Sequence, residues 1–184
     1  MFARISAAAF ALLLGLAAMS ATAQQDDDTA DLAEPPMTVE YLAQILQVLD
    51  PDATVQQNTW QLEIGEVLII VVADPEADRM RAMIPIRAAD ALTPDDMRRM
   101  MQANFDTALD GRYAVAQGVL WATFIHPLKP LEKNQLISGL GQIINLAQSY
   151  GSLYSGGALA YGGGDSGALQ RDLIDELLRK GEEI

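Results

Sequence analysis

The sequence predicts an α+β fold: an antiparallel sheet of about five strands with helices packed on it, in the order α-β-β-β-α-β-β-α. Three observations point there. Apolar residues recur at three- and four-residue spacing through residues 39–49, 94–109 and 132–150, the period of a helix with one buried face. Short runs rich in β-branched and aromatic residues lie between them, at 59–64, 67–73, 79–86, 112–116 and 119–126. Turn pairs, Gly65-Glu66, Asp74-Pro75 and Gln117-Gly118, separate neighbouring runs by distances suited to hairpins.

The first helix opens on Thr38, a side chain able to accept from a free backbone N–H, and carries Val39, Leu42, Ile45, Leu46 and Leu49 on one face before Asp50-Pro51 stops it. In the meander that follows, residues 67–72 are apolar on both faces and are expected at the sheet centre. Arg79-Met80-Arg81-Ala82-Met83 mixes charge with apolar residues, so its strand is expected nearer an edge.

Thr93-Pro94-Asp95-Asp96 then combines an N-cap, a proline in the first turn and two acids at the positive end of the helix dipole. That helix is expected to run to about Leu109 and end at Asp110-Gly111. Two strands pair across Gln117-Gly118, and Pro127 and Pro130 close the sheet. The third helix places Leu136, Leu140, Ile143, Ala147 and Tyr150 on one stripe with Ile137 and Ile144 beside it, a face broad enough to need a large partner surface.

Outside this domain, expected at 37–154, the ends read differently. Residues 1–23 hold Arg4, an apolar run at 5–19 and Ala21-Thr22-Ala23, the pattern of a secretory signal cut before Gln24. The run is short for a membrane span, which needs about twenty apolar residues; an uncleaved anchor is the alternative. Residues 24–36, with Asp26-Asp27-Asp28 and Pro35-Pro36, read as an acidic flexible leader. Residues 155–167 read as a glycine-rich linker that leaves the tail tethered and not firmly packed. Residues 168–184 return to helical spacing, with Leu169, Leu173, Ile174, Leu177 and Leu178 in a stripe and Asp175/Arg179 and Glu176/Lys180 at favourable spacing. Such a short helix needs a surface to lie on: its own domain, a second copy or another protein.

Composition narrows the function. The formal net charge is −13 in 184 residues, which disfavours nucleic acid and anionic lipid as partners; neither nucleic acid nor, after signal cleavage, membrane is expected. There is no cysteine, which removes disulfides, thiol catalysis and thiolate metal sites together.

Candidate chemistry is sparse. Gly164-Asp165-Ser166-Gly167 spells a serine-protease word, but its setting is a glycine-rich linker, the sole histidine sits at a strand end, and a helix N-cap explains Asp165 or Ser166. That histidine, His126, lacks the spacing of a zinc site and reads as a hydrogen-bonded strand-end residue. Asp95 and Asp96 are accounted for by the helix start. No catalytic residue, cofactor or metal ligand is assigned. Asn104, polar within an apolar run, is expected to cap or clip a neighbouring strand edge, with ligand binding as the alternative. Met97, Met100 and Met101 offer either core filling or an adaptable contact surface, because thioethers repack readily around varied partners.

Local words add a resemblance. Asp78-Arg79-Met80-Arg81, Ala103-Asn104-Phe105-Asp106-Thr107-Ala108-Leu109, Leu120-Trp121 and Phe124-Ile125-His126-Pro127-Leu128 resemble the YbjN family, which is similar in fold to the cargo chaperones of type III secretion systems. The resemblance covers about residues 39–154. It implies a small secretion-chaperone-like binding domain, dimeric in many of the chaperones, with no enzymatic residues to carry over. The expectation is therefore an exported, periplasmic or secreted, non-enzymatic module that binds a protein partner or client, with homodimerisation also in view. Its expected contact residues are Met97, Met100, Met101, Leu169, Leu173, Ile174, Leu177 and Leu178. A small-ligand sensor or hydrolase with a scattered site, and a structural protein of the cell envelope, remain the alternative classes.

Overall fold

The computed structural model describes residues 34–106, 109–149 and 167–182. The expected signal segment, residues 24–33 of the acidic leader and residues 155–166 of the glycine-rich linker lie outside the described residues, as do Asp165 and Ser166. The element order is α1 (Val39–Leu49), β1 (Thr54–Gln56), β2 (Thr59–Ile64), β3 (Val67–Asp74), β4 (Arg79–Ala88), a 3₁₀ turn (Ala89–Ala91), α2 (Pro94–Asp106), β5 (Arg112–Ala116), β6 (Val119–His126), α3 (Lys133–Ser149) and α4 (Gly167–Gly181). This is the expected α+β class, an antiparallel sheet with helices on it.

The sheet has six strands in the order β1-β2-β3-β4-β6-β5, every neighbouring pair antiparallel. The extra strand is β1. It pairs with β2 through a two-residue turn at Gln57-Asn58, where Gln57 has φ +55°. All three of its residues are exposed, so it has no buried alternation to betray it in sequence. The next hairpin turns on Gly65 and Glu66, both at positive φ, and the last on Gln117 and Gly118, also both positive. That is the backbone twist a two-residue hairpin loop favours.

The expectation that β4 lies near an edge is corrected: β4 is central, paired with β3 on one side and β6 on the other. Its alternation reports faces. Met80, Ala82 and Ile84 are buried under the helices while Arg79 and Arg81 point to the solvated side. Pro85 falls where β3 pairing has ended, beside a register shift against β6 between Pro85 and Arg87, so the missing N–H interrupts no central ladder.

One face of the sheet is covered. Trp60, Leu62, Ile69, Val71, Met80, Ala82, Leu120, Ala122 and Phe124 meet Leu42, Ile45 and Leu46 of α1 and Leu136, Ile137, Leu140 and Ile143 of α3 in a single core. Phe124 lies against the α3 backbone at Gly139, where an added Cβ would come within 2.6 Å of its ring. Thr38 caps α1, its Oγ1 accepting from the Tyr41 amide at 3.1 Å.

The C-terminal helix is not loosely tethered, which corrects that part of the expectation; of the three surfaces left open to it, it lies on its own domain. α4 packs on α3 and α1. Leu177 is buried in the core and Leu173 and Leu178 pack against it. Glycines permit the approach: a Cβ on Gly141 would lie 2.5 Å from Ile174 Cγ1, and one on Gly181 would lie 2.4 Å from Ile137 Cδ1. Lys133 Nζ also donates to the Gly181 carbonyl at 2.9 Å.

Candidate functional site

α2 is fixed at its start by reciprocal capping. Thr93 Oγ1 accepts from the Asp96 amide at 3.1 Å, and Asp96 Oδ2 accepts from the Thr93 amide at 3.0 Å and from the Thr93 hydroxyl at 2.7 Å. The bond from the Thr93 backbone, then that from its hydroxyl, with Arg99 adding a positive charge, holds the Asp96 carboxyl below the usual carboxylate range. Arg98 pairs with Asp95 on the same turn. Both acids are thus engaged in the helix start.

Further along, Met100 and Ala103 are buried, facing the core. Asn104 fastens the helix to the edge strand β5: its Nδ2 donates to the Tyr113 carbonyl at 3.1 Å and its Oδ1 accepts from the Tyr113 amide at 2.7 Å. A side-chain amide here stands in for a seventh strand at one position, as the sequence suggested. Tyr113 is held again from its far end, where the phenol donates to the Leu146 carbonyl of α3 at 2.6 Å.

With its inner side committed, α2 shows Met97, Met101 and Phe105 on its outer side, 38%, 54% and 72% exposed. Their i, i+4, i+8 spacing makes them one ridge. Three large apolar side chains are thus left in water along one side of the helix, the kind of exposed apolar row that makes a candidate contact surface. Two thioethers in line with an aromatic ring give a surface that is apolar and easily reshaped.

The sheet face opposite the helices is also apolar at its centre. Cross-strand rows run Gln61, Ile70, Met83, Thr123, Arg112 and Thr59, Val72, Arg81, Ile125. Leu68 and Ile125 are 46% and 52% exposed there, and Ile70, Val72 and Met83 are half-buried.

The expected contact residues thus divide. Met97 and Met101 stand on the α2 ridge, whereas Met100 is core. Leu173, Ile174, Leu177 and Leu178 turn toward their own domain, and Leu169 lies in α4 with its side chain outside the described residues. Phe105, the most exposed member of the ridge, was not among the expected residues. Its signal was its place four residues beyond Met101 and eight beyond Met97. His126 closes β6, its Nδ1 bonded to the Pro127 carbonyl at 2.7 Å. Among the described residues no three His, Asp or Glu side chains gather as a metal site, and no helix is long and apolar enough to cross a membrane.

Two solved complexes contain chains similar to this one. The HopA1–SchA chaperone–effector complex matches at 9% identity and a TM-score of 0.48, over 62% of this chain and 95% of that one. The ExsC–ExsE complex matches at 14% identity and a TM-score of 0.45, over 60% of this chain and 93% of that one. No protein-family model and no curated protein matches the chain.

Proposed function

We propose that this chain is a non-enzymatic protein-binding module, chaperone-like or regulatory, that engages a polypeptide partner through the outer side of α2. The observation that carries this reading is the ridge of Met97, Met101 and Phe105, exposed along the flank of a helix whose adjoining packed face is fixed by Met100, Ala103 and Asn104. The Asn104–Tyr113 bonds hold the helix backbone under the ridge, so docking has to order only the side chains. An aromatic residue in line with two methionines has the composition of an interface hot spot.

Export to the periplasm or beyond rests on the apolar run at 5–19 and the Ala21-Thr22-Ala23 site. The YbjN-like reading rests on words with visible duties in the fold. Asn104 clips β5, Phe124 lies on Gly139, and Asp78 tethers the loop after β6 by accepting from the Lys129 amide at 2.9 Å.

Photo-crosslinking tests the site. Benzoylphenylalanine at Met101 should yield a discrete protein adduct in envelope extract, whereas the same group at Gln44, exposed on α1, should not. An adduct at twice the chain mass identifies a second copy as the occupant. Equal adducts at both positions, or none at Met101, would overturn the proposal.

A further inference from the structure

A second surface feature lies away from the α2 ridge and has a different chemistry. Asp110, Phe124, His126, Asn134, Gln135 and Ser138 line a pocket of about 310 Å³ between the loop after α2, the end of β6 and the first turns of α3. That volume is at the small end of ligand sites, enough for one side chain or a small molecule.

Its walls are fixed from beneath. Gln142, 3% exposed, accepts through Oε1 from the Asp110 amide at 2.7 Å and the Gly111 amide at 2.9 Å. Its Nε2 donates to Asp110 Oδ2 and to Ser138 Oγ, both at 3.3 Å. One buried amide therefore satisfies all its own bonds while setting the positions of the pocket's carboxylate and hydroxyl. Gly111 is also crowded by α3: an added Cβ would stand 3.0 Å from Leu146 Cδ1, so the loop is pressed on the helix.

The lining favours a cation. Among the described residues Asp110 is its only carboxylate, and neither lysine nor arginine lines it. The Pro127 carbonyl can only accept, so His126 Nδ1 carries a proton in that bond. Phe124, buried in the core, backs the His126 ring with centroids 5.9 Å apart and 29° between their planes, so the aromatic pair presents mainly the His126 ring to a planar or alkyl cation. The net charge of −13 draws cations toward the molecule and repels anions.

We propose that this pocket takes a guanidinium or primary ammonium head on a short aliphatic stem, with Asp110 as its charge partner and the Phe124–His126 pair as its wall. The head group comes either from an arginine or lysine side chain of a polypeptide or from a free amine. The inference stands independently of the α2 ridge.

The test is an NMR titration of the full chain with agmatine, with the peptide acetyl-Gly-Arg-Gly-amide and, as the anionic counterpart, with glutarate. Both cations should give saturable shifts at the Gln142 side-chain amide, the His126 ring and the Gly111 amide, and glutarate none. Asp110→Asn keeps an acceptor oxygen for Gln142 but removes the charge; it should weaken binding roughly tenfold or more, as expected for losing a charge-assisted bond. Asp90→Asn, on the exposed 3₁₀ turn, should leave it unchanged. Should Asp110→Asn lower stability, Asn134→Trp, which crowds the pocket from the exposed first turn of α3, carries the same expectation. Agmatine binding without the peptide assigns a free amine; binding of both shows that a basic side chain is admitted. No saturable shift with either cation, or identical titrations for wild type and Asp110→Asn, would overturn the proposal.

Discussion

Asn104 holds Tyr113 by both of its backbone groups, donating to the carbonyl at 3.1 Å and accepting from the amide at 2.7 Å. The pair joins an edge strand to the helix that presents the exposed ridge. It satisfies edge groups that would otherwise invite another strand, and it sets which side of α2 faces outward. Asn104→Ala should cost about 1–3 kcal/mol, since a partly buried amide and carbonyl lose their partner. Chemical denaturation gives the loss, and hydrogen exchange should show the Tyr113 amide losing protection ahead of its neighbours in β6.

The tail makes a second expectation concrete. Gly141→Ala drives a methyl group into Ile174, with the built Cβ at 2.5 Å from Cγ1, and should destabilise the chain by about 1–3 kcal/mol. Ile174→Ala in the same chain makes room and should recover part of that loss. A double-mutant cycle measured by thermal unfolding reads the coupling; additive costs would mean that the two residues do not meet.

Leu177→Ala should cost about 2–5 kcal/mol, the range for a buried leucine. If α4 were an independent docking arm, the same substitution would leave unfolding unchanged and alter only assembly. Denaturant titration distinguishes the two.

Acid weakens α2 through Asp96. Its carboxyl sits below the usual carboxylate range because it accepts from Thr93 twice and faces Arg99. In the window between that lowered value and the ordinary one, the unfolded chain binds more protons, so stability rises with pH there. The contribution is complete above the ordinary carboxylate range and is lost as pH falls through the folded value. Asp96→Asn should flatten this part of the stability-pH curve; a curve unchanged in shape would show that Asp96 contributes nothing to it.

Much of the fold could be read from the chain because its local signals agree with its packing. Thr38 and Thr93 cap the helices they precede, and the turn pairs at 65–66 and 117–118 join the strands they separate. Where reading failed, one sequence pattern had two physical causes. Arginines alternating with apolar residues in β4 fit an edge strand and equally a central strand with one solvated face; only pairing with both β3 and β6 decides. Likewise, the stripe of α4 fits a free docking helix and a packed one. The partner glycines that decide it, Gly141 in α3 and Gly181 at the helix end, are silent in periodicity. The ridge is half visible in the sequence: Met97 and Met101 stand out, but Met100 between them faces inward, and Phe105 carries no signal beyond its spacing from them.

The proposed function stands on a protein partner docking along the exposed ridge of α2. Methyl-labelled methionine NMR tests it most directly, because this chain carries its own inside and outside reporters on one helix. On addition of the protein recovered by crosslinking at Met101, the Met97 and Met101 methyl signals should shift or broaden, while those of Met100, Met37 and Met80, all buried, stay in place. Replacing Phe105 with Ser should abolish the shifts with stability changed by no more than about 0.5 kcal/mol, as for an exposed site. Unmoved Met97 and Met101 signals in the presence of a bound partner would contradict the account.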